Sequence, residues 1–166
     1  MTEPPTNAMR EEHIPRREAV TMALYVAIVL LAEAVALQAS SLGETEVIVG
    51  AVWGTTIGVT LAHVYAFTLS TSLFSQGRIG RTDRLAAVAQ LAAAGVVALV
   101  ATLPFLFLST NAAFNLSGSL LTVLIGATGF GSARAGGVPL RRAILIGAVA
   151  LAAGAIVVSV KAALSH

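Results

Sequence analysis

Residues 85–132 read LAAVAQLAAAGVVALVATLPFLFLSTNAAFNLSGSLLTVLIGATGFGS and decide the fold class. The stretch contains no Asp, Glu, Lys or Arg, and it is about twice as long as the ~20 residues that one helix needs to cross a bilayer. The polar trio Ser109-Thr110-Asn111 lies near its middle, a few residues after Pro104. We therefore predict two membrane-spanning helices, 85–108 and 112–132, that are joined by a tight turn.

Three further apolar stretches of spanning length flank this one, at 19–39, 47–74 and 140–164. The sequence thus predicts an all-α polytopic membrane protein with a five-helix transmembrane domain over 19–166. The polar residues 1–18 lack the features of a signal peptide, and we interpret them as a flexible cytoplasmic tail. The composition agrees, because 57% of the 166 residues are hydrophobic and 11% are charged, whereas soluble domains carry about 25% charged residues.

The basic residues predict the orientation of the chain. Lys161 is the single lysine and lies near the far end of the fifth predicted helix. Nine arginines lie at the opposite ends of the helices: Arg10, Arg16, Arg17, Arg78, Arg81, Arg84, Arg134, Arg141 and Arg142. Because Lys and Arg accumulate in cytoplasmic loops, we predict a multi-pass plasma-membrane protein with its N-terminus inside and its C-terminus outside. Arginines confined to helix ends also argue against a nucleic-acid partner, despite a pI of about 9.7.

Several classes of chemistry are excluded or disfavoured by the sequence. The chain contains no cysteine, which excludes disulfides, thiolate metal ligands and thiol nucleophiles. It has no nucleophile elbow, no His-Glu-x-x-His and no phosphate-binding loop, and its predicted loops are too short for a soluble catalytic domain. We predict that the protein is not an enzyme.

Glu33 is the most unusual residue of the first predicted span, because a charged side chain at mid-bilayer costs at least ~2.5 kcal/mol. It lies in VLLAEAVAL, roughly two-thirds of the way out, where its carboxyl group cannot easily reach either surface. Two interpretations stay open. Glu33 is a proton or cation site that faces a cavity or a partner, or it is a protonated acid that hydrogen-bonds a neighbouring helix and contributes only to packing.

A polar stripe on the second predicted helix surrounds His63, in the sequence GVTLAHVYAF. Helical spacing places Thr56, Thr60 and His63 on one face. The stripe is either the wall of a permeation path or a packing surface on which the threonines bond back to their own helix. A neutral imidazole can relay a proton or bind a divalent metal. Because the first two helices are antiparallel, we expect Tyr25 at the depth of His63, and Glu33 nearer Thr56.

Small residues are frequent in the last three predicted helices. Two pairs are spaced four residues apart, Ala143 with Gly147 and Ala150 with Gly154. We interpret both pairs as close-packing surfaces, within the chain or between protomers. Gln90, a single amide in the third helix, is interpreted as a packing residue.

The second half of the chain resembles a known family. The stretch VATLPFLFLSTNAAFNLSGSLLTVLIGATGFGSARAGGVPLRR and the Gly/Ala-rich helix after it look like the last three helices of vacuolar-iron-transporter-type membrane proteins. The segments VWGTTIGVTLAHVYAFTLS and VSVKAALSH are similar to small membrane proteins of actinobacteria that resemble a reduced form of this scaffold. The resemblance implies a bacterial protein with five spans, its N-terminus inside and its C-terminus outside.

The positions that match the family's metal-binding motifs carry different residues here. The family opens helix one with Asp-Gly and carries a Ser-Met-Ala-x-Gly-Glu-like segment in helix two. In this chain Glu18-Ala19 opens helix one, His63 stands in place of the methionine and Phe67 in place of the glutamate. The resemblance therefore implies Glu18 and His63 as the remaining metal ligands, with weak affinity for Fe, Mn or Zn.

These observations together predict a divalent-cation or proton-coupled transporter that works as a homodimer with its seam at helix one. Its candidate path follows helices one and two through Glu33, His63, Tyr25, Thr56 and Thr60. The alternative is a non-transporting accessory or scaffold subunit that binds another membrane protein through its small-residue faces.

Overall fold

The computed structural model describes residues 7–39, 44–74 and 80–164 and consists of five long α-helices. They are α1 (Asn7–Ala39), α2 (Thr45–Phe74), α3 (Arg81–Thr102), α4 (Thr110–Ala135) and α5 (Leu140–Leu164), with one 3-10 turn at Leu103–Leu106. Each helix contains a stretch long and apolar enough to cross a membrane, which confirms the all-α, five-span prediction. Only 17% to 39% of the residues in these stretches are buried within the protein. Most of the apolar surface therefore needs lipid to cover it.

The first helix begins earlier than the sequence analysis predicts. Residues 7–18, which we assigned to a flexible tail, continue the helix that spans 19–39. This segment is rich in Glu and Arg, which are good helix formers. Pro15 lies inside the helix and lacks an amide hydrogen, so its turn has one backbone hydrogen bond fewer. Residues 1–6, the predicted loop at 40–43 and the loop at 75–79 with Arg78 lie outside the described residues.

The predicted break between the third and fourth spans is confirmed. α3 passes into the 3-10 turn, in which Pro104 occupies the first turn, and α4 begins after Ser109. The Ser109 carbonyl accepts the amide hydrogen bond of Ala113 at 2.8 Å, which is the first turn of α4. Phe105 of the 3-10 turn packs against Phe114 of α4, with ring centroids 5.1 Å apart in an edge-to-face arrangement.

The turn between α4 and α5 is set by Gly137. Its φ of +75° places it in the left-handed region, which favours glycine. The amide of Val138 donates to the Ala133 carbonyl and the amide of Gly137 donates to the Arg134 carbonyl, each at 3.0 Å. This is the Schellman arrangement, in which the last carbonyls of a helix are taken up by the turn that follows. α5 can therefore start at once and run back along α4.

α1 is the central helix of the bundle. It packs most extensively on α3 and also contacts α4, α5 and α2. The centre of the core combines side chains from all three of the best-packed helices: Met22, Val26 and Leu30 of α1, Val97 of α3, and Leu121 and Ile125 of α4. Because neighbouring spans run in opposite directions, the described arginines of α1, α3, α4 and α5 collect at one end of the bundle.

The small residues of α5 serve packing within the chain. A Cβ atom at Gly129 of α4 would lie 3.0 Å from the Cβ of Ala150, and one at Gly147 of α5 would lie 3.2 Å from the Gly126 carbonyl oxygen. A Cβ at Gly154 would meet Ile125 of α4 at 3.5 Å. Gly147, Ala150 and Gly154 of the two predicted pairs therefore lie against α4, and the closest approach between the two helices depends on glycine.

Candidate functional site between α1 and α2

Glu33 lies at the contact between α1 and α2. The hydroxyl of Thr55 donates a hydrogen bond to Glu33 Oε1 at 2.8 Å. The second oxygen, Glu33 Oε2, is buried and has no hydrogen-bond partner among the residues that the structure describes. A buried oxygen without a partner is rare in proteins and costly. Glu33 therefore retains the capacity to bind a proton, a cation or a further donor.

The bond to Thr55 places Glu33 within one residue of Thr56, the depth expected from the sequence, but the partner is Thr55 and not Thr56. Consecutive residues of a helix point about 100° apart, so the two threonines face different helices. Thr56 is 3% exposed and its hydroxyl donates to the Val52 carbonyl of its own helix at 2.7 Å. Hydropathy could not have distinguished the two, because both are threonine.

Tyr25 and His63 meet further toward the arginine-rich end. Their ring centroids lie 6.3 Å apart with an interplanar angle of 34°, which confirms that Tyr25 lies at the depth of His63. The Tyr25–His63 and Glu33–Thr55 pairs are eight residues apart on both helices, so the two contacts belong to one antiparallel register. At 1.5 Å per residue they are separated by about 12 Å along the helix axes.

A groove opens between α1 and α2 at the Tyr25–His63 level. It has a volume of about 470 Å³, and its lining is Thr21, Tyr25, Gly58, Val59, Ala62 and His63. Gly58 contributes no side chain to the α2 side of the groove, and a Cβ atom at that position would meet nothing within 4 Å. Tyr25 is 49% exposed, so its hydroxyl can reach the surface of the bundle. The groove is large enough for several water molecules.

The structure does not bring Thr56 and Thr60 into this groove. Both are buried, and the Thr60 hydroxyl donates to the Thr56 carbonyl at 2.6 Å. They line a separate cavity of about 150 Å³ on the α3 side, together with Leu91, Ala94 and Gly95. Their hydroxyls are taken up by their own helix, as in the packing interpretation of the stripe. His63, only half-buried, is the member of the stripe that faces α1.

Glu18 is held by a second polar contact that the sequence analysis missed. Glu18 Oε2 accepts a hydrogen bond from Gln90 Nε2 at 3.1 Å, and Glu18 Oε1 forms an ion pair with Arg17 at 3.2 Å. Gln90 is fully buried, and its Oε1 has no partner among the described residues. The bond joins residues 72 positions apart, so no local pattern reports it. Gln90 is thus the polar link between α1 and α3.

The two metal ligands that the resemblance implies are held by different neighbours. Glu18 is engaged by Arg17 and Gln90, whereas His63 lies against Tyr25. Within the described residues no three His, Asp or Glu side chains come together in a way that could hold a metal ion. A divalent ion in the α1–α2 groove would therefore have to take most of its ligands from water or backbone oxygens.

One surface of α2 also escaped the sequence analysis. Gly50, Gly54 and Gly58 are spaced four residues apart, and a Cβ atom at any of them would meet nothing within 4 Å. We call these three residues the open glycine face. In contrast to Gly126 and Gly129 of α4 and Gly147 of α5, they are not used for packing among the described residues. Small residues at this spacing nevertheless let membrane helices approach closely.

The resemblance to vacuolar-iron-transporter-type proteins rests on the order of the last three helices and on two segments of α2 and α5. The five spans that it implies are present in the structure. Comparison of the chain with protein-family models, with curated proteins and with solved structures finds no match. Membership of the family therefore stays a prediction.

Proposed function

We propose that the protein is a membrane transporter that moves protons, alone or coupled to a divalent cation, along the contact between α1 and α2. The observation that carries the proposal is Glu33, a carboxyl group inside a span with one oxygen bonded to Thr55 and the other buried without a described partner. Ionisable residues inside spans are rare, and they occur in substrate and ion pathways and in proton relays.

The groove between α1 and α2 provides further proton-exchanging groups and space for water along the proposed path. Tyr25 and His63 are both groups that exchange protons, and they lie at one level in the same α1–α2 register as Glu33. The groove that they line has room for water, which can carry a proton over part of the ~12 Å between the two levels. The absence of a three-residue metal cluster among the described side chains favours the proton as the ion that contacts the protein directly.

The test is flux in liposomes that contain the purified full-length protein. A pH-sensitive dye inside the vesicles reports proton movement under an imposed potential, and Mn²⁺, Zn²⁺ and Fe²⁺ are added in turn. We expect Glu33→Gln to stay folded and to abolish flux, because the amide keeps the shape of the side chain but cannot bind and release a proton. Glu46→Gln, which changes an exposed carboxylate at the start of α2, should keep flux.

Thr56→Val provides a second matched control. Its hydroxyl bonds within α2 and lies outside the groove, so we expect flux close to that of the unaltered protein. The proposal is contradicted if the unaltered protein moves neither protons nor any of the three metals, or if Glu33→Gln transports at the normal rate.

The second candidate function is an accessory or scaffold subunit, and the observation in its favour is the open glycine face of α2. Since the chain has no cysteine, Gly54→Cys creates a single reactive site on that face, and Val88→Cys on the exposed surface of α3 is the control. We expect oxidation in membranes to crosslink the chain at Gly54 and not at Val88. A crosslink between two copies of the chain would support the predicted homodimer and place its seam at α2, whereas a crosslink to a different membrane protein would support the accessory subunit. Equal crosslinking at Gly54 and Val88 would contradict the use of this face.

A further inference from the structure

A second groove lies at the arginine-rich end of the bundle, between the start of the α1 span and the end of α4. It has a volume of about 400 Å³, and its lining is Arg16, Arg17, Val20, Thr21, Ser132, Ala135 and Gly136. None of these residues takes part in the path proposed above except Thr21, whose hydroxyl donates to the Arg17 carbonyl. The groove is therefore a separate feature that the transport proposal does not explain.

The electrostatics of the groove favour an anion. Arg16 is exposed and makes no ion pair or hydrogen bond with another described residue. Arg17 pairs with Glu18, but it is 79% exposed and retains donors for a second partner. The carbonyl oxygens at the end of α4 would repel an anion, but those of Ser132, Ala133 and Arg134 are already occupied by the amides of the following turn.

The depth of the groove identifies the kind of anion. The apolar span of α1 begins at Ile14 and that of α4 ends at Ala135, so the groove lies at the boundary between the apolar spans and the polar end of the bundle. Phospholipid headgroups occupy this level. Val20 and Ala135 give the groove an apolar side, which suits the glycerol and first acyl carbons of a lipid. A freely soluble phosphate would gain nothing from these two residues.

We propose that this groove binds the headgroup of an anionic phospholipid of the cytoplasmic leaflet, with the phosphate held by the guanidinium groups of Arg16 and Arg17. Planar guanidinium groups match two phosphate oxygens at once, and basic grooves at the cytoplasmic ends of membrane helices are suited to acidic lipid headgroups. The bound lipid bridges α1 and α4, two helices that pack on each other in the core.

The test uses the full chain in detergent, titrated with dioleoylphosphatidylglycerol and followed by native mass spectrometry and by thermal stabilisation. Dioleoylphosphatidylcholine is the neutral comparison, and glycerol 3-phosphate at matched ionic strength is the soluble one. We expect the phosphatidylglycerol to bind and stabilise the protein, and the other two compounds to have little effect.

Three variants locate the binding site. Arg16→Gln should weaken phosphatidylglycerol binding about fivefold, the effect of one basic residue near the membrane surface. Ala135→Leu fills the groove without changing charge and should cause a loss of the same order. Arg142→Gln removes an exposed arginine at the same end of the bundle but outside the groove, and should change affinity less than about twofold.

Each contrary result overturns the proposal. An equal loss in Arg142→Gln and Arg16→Gln would mean that diffuse surface charge binds the lipid. Unchanged affinity in Ala135→Leu would mean that the groove is not the site. Equal stabilisation by glycerol 3-phosphate would mean that the groove binds soluble phosphate compounds and not a lipid. Equal binding of phosphatidylcholine would mean that the negative charge of the headgroup is not recognised. Both Arg16 and Ala135 are exposed, so either variant alone decides the question if the other folds poorly.

Discussion

Removal of the Thr55 hydroxyl tests whether Glu33 depends on the α1–α2 contact. Thr55→Val keeps the volume of the side chain but deletes the donor to Glu33 Oε1, which lies 2.8 Å away. The other carboxyl oxygen is already without a described partner, so both would then be unpaired. A hydrogen bond between membrane helices stabilises a protein by ~0.6 kcal/mol on average and by up to ~1.7 kcal/mol. Leaving a buried polar group unpaired costs ~1–3 kcal/mol of stability. We expect a loss of about 1–2 kcal/mol in the free energy of unfolding.

The adjacent threonine is the matched control. Thr56→Val makes the same chemical change one residue later, but the lost hydroxyl bonds only to the Val52 carbonyl, which the α2 helix already satisfies. Its cost should stay below about 0.5 kcal/mol. Unfolding of the purified protein by increasing denaturing detergent in mixed micelles, followed by circular dichroism, measures both variants under one condition.

A double-mutant cycle isolates the Glu33–Thr55 bond itself. Glu33→Met replaces the acceptor by an apolar side chain of similar size, and in that background Thr55→Val should cost close to nothing, because no carboxyl group is left unpaired. If Thr55→Val costs the same with Met at position 33, the Glu33–Thr55 bond contributes no free energy, and the prediction is wrong. If Thr56→Val destabilises the protein as much as Thr55→Val, the loss is not specific to the contact with Glu33.

Three further predictions test the packing and the orientation of the bundle. Gly129→Ala should lower the free energy of unfolding by about 1–3 kcal/mol, because the added Cβ would lie 3.0 Å from the methyl carbon of Ala150. In the same unfolding assay Gly54→Ala should be neutral or stabilising, because its Cβ would point into open space. Gln90→Leu should cost about 1–3 kcal/mol because it leaves an oxygen of Glu18 without its donor, and retention of full stability would contradict the α1–α3 link. A reporter enzyme that works only outside the cytoplasm should be active after His166 and silent in the loop before α3; activity at both places would contradict the predicted orientation.

The number of spans and the break between the third and fourth could be predicted from the sequence because the bilayer acts on each segment separately. Hydrocarbon excludes charged and unpaired polar groups whichever helix lies next door, so long uncharged stretches and their polar breaks are sufficient evidence. The turn after Pro104 is an example, since the prolyl ring prevents the α3 hydrogen-bond pattern from continuing. The start of α1 at Asn7 was missed for the complementary reason, because residues 7–18 are polar and hydropathy does not report a helix that extends into water.

The candidate sites depended on rotation and register, which only the tertiary structure decides. The depth of Tyr25 beside His63 could be predicted by counting along two antiparallel helices. The choice of Thr55 over Thr56 as the partner of Glu33 could not, because a rotation of 100° separates two residues of identical chemistry.

Contacts between segments that are distant in the chain could not be predicted from the sequence either. The bond from Gln90 to Glu18 and the groove that joins Arg16 to the end of α4 both unite parts of the chain that no local pattern relates. The glycines make the same point, since Gly129 and Gly54 both lie inside long apolar helices. One faces a neighbouring helix and the other faces open space, and only the packing of the five helices determines which.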